Sequence, residues 1–141
     1  MLETIIAVDG FSSTGKSTLA SKLAEYYNFY YLNSGLMYRF ITYFALNNGC
    51  IIKNNIHESL LINKINNLNF DWSIDKNGNK LLSFEGKLFG EDMYSFEVSD
   101  LVSSVAKLKQ VRSYLFSQQK TLVIKKSIVV EGRDIGTVVF P

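Results

Sequence analysis

GFSSTGKS, residues 10–17, indicates the architecture of the chain before any other segment does. It matches the pattern Gly-x-x-x-x-Gly-Lys-Ser/Thr, and both of its flanks agree with that match. Residues 4–8 form a short, β-branched apolar run, whereas the apolar side chains of residues 16–27 recur at helical spacing. Glycines let successive backbone N–H groups point at one anion, and a helix that begins there adds the positive end of its dipole. A buried strand, a phosphate-binding loop and a helix are therefore predicted in this order.

Apolar patterns in the rest of the chain predict an α/β plan. Strands are predicted at residues 29–32 and 127–130, and helices at residues 36–47, 55–68, 97–108 and 111–120. Asn77-Gly78 lies between two alternating segments, 69–74 and 80–84, and this arrangement is a strong hairpin signal. Helical crossovers between buried strands predict a parallel sheet with helices on both faces, a three-layer α/β/α fold that carries a small antiparallel β insert.

The composition is that of one globular domain. The chain has 141 residues, of which 47% are hydrophobic and 20% charged, and its formal net charge is +2. So small an excess of positive charge does not indicate nucleic acid or a membrane surface as a partner, and no apolar run reaches the roughly 20 residues of a membrane span. Cys50 is the only cysteine, which excludes an intrachain disulfide. We therefore expect a cytoplasmic protein.

The glycine loop supplies the residues expected around a nucleoside triphosphate. Lys16 provides a charge for the β- and γ-phosphates, and the Ser17 hydroxyl is a ligand for the Mg²⁺ ion that accompanies the nucleotide. The residues predicted to contact ATP are Gly10, Phe11, Ser12, Ser13, Thr14, Gly15, Lys16, Ser17 and Thr18. GTPases, motor ATPases and small kinases share the loop pattern, so it does not name the second substrate.

Three further segments carry groups that could recognise a second ligand. Arg39 lies one turn into a helix that begins beside Ser34, where it could hold a phosphate or equally be a solvated side chain. Ser103 and Arg112 stand among apolar positions, and a core helix with a surface arginine explains them as well. The third segment, residues 131–134 (EGRD), follows a buried strand and is therefore expected at the carboxyl edge of the sheet, where ligands bind in such folds.

Four motifs make the chain resemble the cytidylate kinase family of nucleoside monophosphate kinases. They are VDGFSSTGKST (8–18), NSGLMYR (33–39), EVSDLVSSVAKLKQVR (97–112) and EGRDIGTVVFP (131–141), and the last is the most diagnostic. The resemblance implies a P-loop NTPase sheet and a kinase that transfers a phosphoryl group from ATP to CMP or dCMP with Mg²⁺. It also implies a monomer at full length, in which the insert, about residues 69–90, is the monophosphate-binding lobe.

Residue roles follow from the same resemblance, position by position. The residues implied to take part in catalysis are Lys16, Arg39 and Arg133. Those implied to bind CMP are Ser34, Arg39, Ser103, Arg112, Arg133 and Asp134, of which Ser103, Arg112 and Asp134 read the cytosine edge. A carboxylate suits the amino donor of cytosine and disfavours the O4 acceptor of uracil.

The chain departs from the family's pattern in sequence and in length. Phe11 stands where the family usually has proline, Asn33 and Glu131 where it often has aspartate, and Tyr94 where it often has arginine. Family members continue past the last motif with two core strands and an arginine-rich lid, so residues 1–141 are expected to be the N-terminal portion of one kinase domain. The first strand would then have an unpaired outer edge. A nucleotide-binding module without turnover and a P-loop kinase for another monophosphate remain as alternatives.

Overall fold

The structure, a computed structural model, describes residues 3–10, 15–133 and 135–140. The side chains of Lys16, Ser17, Thr137 and Val138 are outside this description. The predicted ATP contacts Phe11, Ser12, Ser13 and Thr14 and the predicted CMP contact Asp134 also lie outside the described residues.

Strands and helices follow one another in the described residues largely as predicted. The strands are β1 (Ile5–Asp9), β2 (Tyr30–Asn33), β3 (Ile51–Ile52), β4 (Asn55–Ile56), β5 (Phe70–Ile74), β6 (Lys80–Phe84), β7 (Lys87–Leu88) and β8 (Ile128–Gly132). The α-helices are α1 (Lys16–Tyr27), α2 (Ser34–Asn47), α3 (Glu58–Ile65), α4 (Phe96–Ala106) and α5 (Lys109–Leu122). A 3₁₀ helix, Glu91–Tyr94, precedes α4, and a π-helical segment, Ile135–Val139, follows β8. Within the described ranges, none of these helices has the length and apolarity to cross a membrane.

A parallel three-stranded sheet in the order β1-β8-β2 places β8 at its centre. Asp9 pairs with Gly132 in register, and Asn33 pairs with Glu131, so the three strands end at the same edge. This arrangement confirms the predicted parallel α/β plan. Among the described residues β1 has a neighbouring strand on one side only, which agrees with the unpaired outer edge expected for it.

Helices cover both faces of this sheet. Val129 of β8 packs with Val8 of β1 and with Ala20 and Ala24 of α1. Val130 points to the other face, since successive side chains of a strand alternate, and joins the larger core that α2, α4 and α5 share. All of β8 is buried, as expected for a central strand of a parallel sheet with helices on both sides. The three-layer order is therefore the predicted one.

The antiparallel insert consists of β5, β6 and β7, as the Asn-Gly signal predicts for its first hairpin. In the turn between β5 and β6, the Asp75 carboxylate accepts hydrogen bonds from the N–H groups of Asn77 and Asn79, each at 2.9 Å. The rings of Phe70 and Phe84 lie 4.6 Å apart between centres, and both belong to the main core. The insert therefore continues the core of the α/β layers.

The helix predicted at residues 55–68 is shorter, and the prediction was wrong at its N-terminal end. α3 begins at Glu58, because β4 pairs with β3 in a two-stranded hairpin. Lys53 and Asn54, which join these strands, have φ values of 51° and 64°, the left-handed conformation of a tight hairpin turn. A turn of this kind without glycine leaves little trace in the composition of the sequence.

Candidate active site

The N-terminus of α1 lies at the edge where the parallel strands end. The N–H of Gly10, directly after β1, donates to the carbonyl of Gly132 at 3.2 Å. Gly15 has a φ of 81°, a left-handed conformation that favours glycine, and α1 starts at the next residue. Gly10 therefore follows a strand end and Gly15 precedes a helix N-terminus, and this is the setting that an anion-binding loop requires.

A pocket of about 610 Å³ opens at the same edge of the sheet. The start of α2, parts of α4 and α5 and the end of β8 line it. Five of the six predicted CMP contacts are among its lining residues: Ser34, Arg39, Ser103, Arg112 and Arg133. The fold therefore brings residues from four separate elements to one cavity, whose volume suits a small-molecule ligand.

The first turn of α2 forms one wall of this pocket. Asn33 caps the helix, because its side-chain oxygen accepts a hydrogen bond from the Gly35 N–H at 2.9 Å. Ser34 is buried against Gly132, where an added Cβ would overlap the Ser34 hydroxyl. The glycine of the EGRD segment therefore lets the end of β8 approach the start of α2.

Arg39 is held in place by the residues around the start of α4. Its Nη1 donates to the Met93 carbonyl at 3.0 Å and to the Ser99 hydroxyl at 3.1 Å. The guanidinium also lies over the ring of Tyr94, 4.7 Å from the ring centre, in a cation–π contact. The alternative interpretation of Arg39 as a freely solvated side chain is therefore wrong. Tyr94, which stands where the family often has arginine, supports Arg39 instead of adding a charge.

Arg112, Phe116 and Gln119 line the pocket from one face of α5. The Arg112 guanidinium lies 5.8 Å from the centre of the Phe116 ring and interacts with the Tyr38 hydroxyl of α2. Burial raises the pKa of the Tyr38 phenol, and the neighbouring Arg112 cation acts in the opposite direction. Tyr38 is therefore a neutral hydrogen-bonding group at neutral pH.

The charge of the pocket favours an anion. Its described lining residues include the cations Arg39, Lys107, Arg112 and Arg133, against the single acid Glu131. Arginine side chains suit phosphate particularly well, because the planar guanidinium can donate two parallel hydrogen bonds.

Glu131 is a buried acid, 1% exposed, at the carboxyl end of β8. It lies on the same face of β8 as Val129, which is the face that α1 covers. The Tyr31 hydroxyl of β2 donates a hydrogen bond to Glu131 Oε1. Mg²⁺ prefers hard oxygen ligands such as carboxylates and often keeps bound waters. A carboxylate at this edge, close to the start of α1, therefore fits a nucleotide-bound Mg²⁺ ion.

A family model for cytidylate kinase matches residues 6–141. The chain belongs to the cytidylate kinase family. The cytidylate kinase of Flavobacterium johnsoniae is 40% identical to it, over 100% of this chain and 62% of the relative. That of Alkaliphilus oremlandii is 38% identical, over 96% of this chain and 59% of the relative. That of Clostridioides difficile is 39% identical, over 97% of this chain and 60% of the relative. The chain thus spans less than two thirds of the length of these cytidylate kinases.

Membership in the cytidylate kinase family confirms the resemblance drawn from the four motifs. The parallel sheet with flanking helices is likewise the fold that the resemblance implies. The residue roles stay predictions. The pocket contains Ser34, Arg39, Ser103, Arg112 and Arg133, whereas Asp134 and the side chains of Lys16 and Ser17 are outside the described part of the chain.

Gln119 is a pocket residue that the sequence reasoning missed. It is 1% exposed, and its side-chain oxygen has no hydrogen-bond partner among the residues that the structure describes. Leaving a buried acceptor without a partner costs about 1–3 kcal/mol. Its position two helical turns after Arg112, on the same face of α5, is the sequence signal that could have indicated it.

Proposed function

We propose that the protein carrying this chain transfers the γ-phosphoryl group of ATP to CMP or dCMP, with ADP and CDP or dCDP as products. The observation that supports this most is the cationic pocket, which lies at the same sheet edge as the glycine loop. The names of the relatives, all cytidylate kinases, support the same reaction. Because the chain spans only part of those relatives, the proposal concerns the full-length protein.

ATP is proposed to bind along residues 10–18, with its terminal phosphates at the N-terminus of α1. Backbone N–H groups of the loop and the helix dipole favour negative charge there. Lys16 would neutralise the β- and γ-phosphates, Ser17 would bind Mg²⁺, and Glu131 would hold a water of that ion. The bound ion would supply charge neutralisation on the phosphate oxygens.

The phosphate of CMP is proposed to lie between Arg39 and Arg133, with Ser34 beside it. Arg39 is already oriented by its bonds to the Met93 carbonyl and the Ser99 hydroxyl, so little side-chain entropy is lost when it binds. Both nucleotides are anionic, and placing several cations between them offsets their repulsion.

Three residues are proposed to read the cytosine edge. The Ser103 hydroxyl and the Arg112 guanidinium suit the N3 and O2 acceptors, and the Asp134 carboxylate suits the N4 amino donor. Uracil has the acceptor O4 in place of that amino group, so two acceptors would face each other. The arrangement therefore favours cytosine over uracil.

Transfer would follow a single displacement without a covalent enzyme intermediate. An oxygen of the CMP phosphate forms a bond to the γ-phosphorus, and the bond from this phosphorus to the β-phosphate oxygen breaks, so ADP leaves. The residues of the chain contribute positioning and charge neutralisation.

An ADP-release assay on the full-length protein with ATP and Mg²⁺ tests this proposal. We expect turnover with CMP and dCMP, at least tenfold less with UMP, and none with AMP. Arg112→Ala or Asp134→Ala should lower kcat/KM for CMP by about 10- to 100-fold, the effect of losing a hydrogen bond to a charged group. Glu25→Gln, on an exposed position of α1, is the control. Turnover of AMP without turnover of CMP would contradict the proposal.

A nucleotide-binding module without turnover is the second candidate, since the glycine-loop pattern of residues 10–17 indicates nucleotide binding and does not by itself indicate phosphoryl transfer. Calorimetry of the 141-residue chain with ATP and with CMP measures binding separately from chemistry. Binding by this chain without ADP release by the full-length protein would select the module. ADP release by the full-length protein would select the enzyme.

A further inference from the structure

We propose that Asp9 is a positioning residue that couples the ATP-binding loop to the segment that carries Arg133 and Asp134. The inference rests on the proposed kinase function. Asp9 is the last residue of β1, and Gly10, the first residue of the glycine loop, follows it directly.

Both oxygens of the Asp9 carboxylate accept hydrogen bonds from the chain that follows β8. Oδ1 accepts from the Ile135 N–H at 2.5 Å, and Oδ2 accepts from the Gly136 N–H at 3.0 Å. These two residues begin the π-helical segment, immediately after the predicted CMP contacts. Hydrogen bonds to an ionised carboxylate are shorter and stronger than neutral ones. The Asp9 side chain therefore joins the end of β1, which leads into the proposed ATP-binding loop, to the segment that follows the predicted CMP contacts.

The exposed Asp9 carboxylate lies close to the backbone of the π-helical segment. A Cβ added at Gly136 would lie 3.1 Å from Asp9 Oδ2 and 3.7 Å from the Cβ of Ala7. Ile135, at the start of this segment, is buried, and its carbonyl accepts a hydrogen bond from the Phe140 N–H at 2.7 Å within the same π-helical turn. A shift of this segment along β1 would therefore break the bonds to Asp9.

Because Asp9 lies between the two proposed phosphate-binding segments, we expect it to affect the distance and alignment of the reacting atoms. In-line transfer requires reacting atoms about 3–3.5 Å apart, and a misplacement of about 1 Å can cost about 100-fold in rate. The two phosphates are proposed to be held by different loops, one by residues 10–17 and the other by Arg133. The described contacts of the Asp9 carboxylate are with the backbone of Ile135 and Gly136, so we expect its loss to lower kcat more than it weakens binding.

Asp9→Asn in the full-length protein tests this coupling, because it removes the charge and one acceptor at nearly constant size. We expect kcat with CMP to fall about 10- to 100-fold, while KM for ATP and KM for CMP each change less than about threefold. Gly136→Ala disturbs the same contact from the other side and should also lower kcat. The double variant should lose about as much as the stronger single variant, because both changes break one contact. Glu25→Gln, the same carboxylate-to-amide change at an exposed position, should keep the original kcat.

Wild-type kcat in Asp9→Asn, or a rise in KM alone, would overturn the inference. Thermal unfolding checks that each variant is folded, and if Asp9→Asn does not fold, Gly136→Ala decides by the same comparison of kcat with KM. The two proposals fail in different ways. No turnover of CMP by the unaltered protein contradicts the proposed function, whereas turnover that Asp9→Asn leaves intact contradicts only the coupling.

Discussion

Single residues in the candidate active site are positioned by contacts with residues far away in the chain. Ser34 fits against the end of β8 only because Gly132 has no side chain. Arg39 takes its orientation from Met93 and Ser99, which lie 54 and 60 positions further along. Side chains held in this way are oriented before a ligand arrives, and preorganisation of this kind raises affinity by lowering the entropy lost on binding.

At this scale we predict that Gln119→Met stabilises the ligand-free protein and weakens CMP binding. Methionine has a similar volume, and it removes a buried acceptor that has no partner among the described residues. We expect the free energy of unfolding to rise by about 1 kcal/mol. The Kd for CMP should rise about five- to tenfold, because the amide oxygen can no longer accept a hydrogen bond from the nucleotide. Urea denaturation and calorimetry measure the two quantities.

Gln118→Met is the matched control for that experiment. Its side chain accepts a hydrogen bond from the Phe70 N–H at 2.9 Å and donates one to Asn69 at 3.2 Å. This variant should therefore lose stability and keep its affinity for CMP. Unchanged CMP affinity in Gln119→Met would show that the amide does not contact the nucleotide.

At the scale of elements, α5 connects the pocket to the antiparallel insert. Three contacts join one face of this helix to β5 and to the residues before it. They are Tyr114 O–H to the Leu68 carbonyl (2.7 Å), Phe70 N–H to Gln118 Oε1 (2.9 Å) and Trp72 Nε1–H to the Leu122 carbonyl (2.9 Å). The helix residues in these contacts are spaced four apart and so share a face, while Arg112, Phe116 and Gln119 line the pocket from another. α5 therefore fixes the insert relative to the pocket.

The link through Tyr114 predicts a loss of stability at alkaline pH. Burial, with a smaller effect of the negative Glu85, raises the pKa of the Tyr114 phenol. In the unfolded state the phenol has a pKa of about 10, so it loses its proton at a lower pH than in the folded state. The stability that the protonated Tyr114 phenol contributes is therefore fully present below about pH 10 and is lost as the pH rises beyond it. Tyr114→Phe should be less stable by about 1 kcal/mol at pH 7, because it loses the bond to Leu68, but its stability should fall less between pH 9 and pH 11.

Chemical denaturation at pH 7, 9 and 11 measures this effect. Tyr26→Phe, at a side chain that is 82% exposed, controls for the loss of a tyrosine hydroxyl as such. Equal alkaline losses in Tyr114→Phe and in the unaltered chain would contradict the assignment to Tyr114.

At the scale of the whole molecule, the parallel sheet determines which surfaces meet. β8 lies between β1 and β2, so the residues after β8 reach both the glycine loop and the start of α2. The same order leaves β1 with a strand on one side only among the described residues. Unpaired N–H and C=O groups along a strand edge are a template for pairing with another chain.

This open edge predicts that the 141-residue chain self-associates as its concentration increases. Ile5 of β1 is 41% exposed, and a lysine there should reduce association, since a charge on an edge strand opposes edge-to-edge pairing. Ile124→Lys, at a 58% exposed position outside the strands, should leave association unchanged. Sedimentation velocity over a concentration series measures the association state of each variant. An equal reduction by both variants would indicate general apolar contact and not strand pairing.

Local patterns in the sequence predict most elements because their signals act over a few residues. Helical spacing places α1 at residues 16–27, where the structure has Lys16–Tyr27, and Asn77-Gly78 correctly indicates the hairpin of the insert. The β3-β4 hairpin is the exception. Its turn residues, Lys53 and Asn54, adopt a left-handed conformation without glycine, so a local hairpin forms where the apolar pattern predicts the start of a helix.

The amino-acid sequence alone determined the glycine loop, the alternation of strands and helices, the family, and the polar groups available to a ligand. Only the tertiary structure decided which of those groups meet. The bond between Asp9 and Ile135 spans 126 positions, and the bond between Tyr31 and Glu131 spans 100. The lack of a hydrogen-bond partner for Gln119 Oε1 among the described residues depends on the side chains packed around it. Periodicity and turn chemistry operate between near neighbours in the chain, whereas a pocket forms where distant elements pack, and such contacts leave no repeating signal in one sequence.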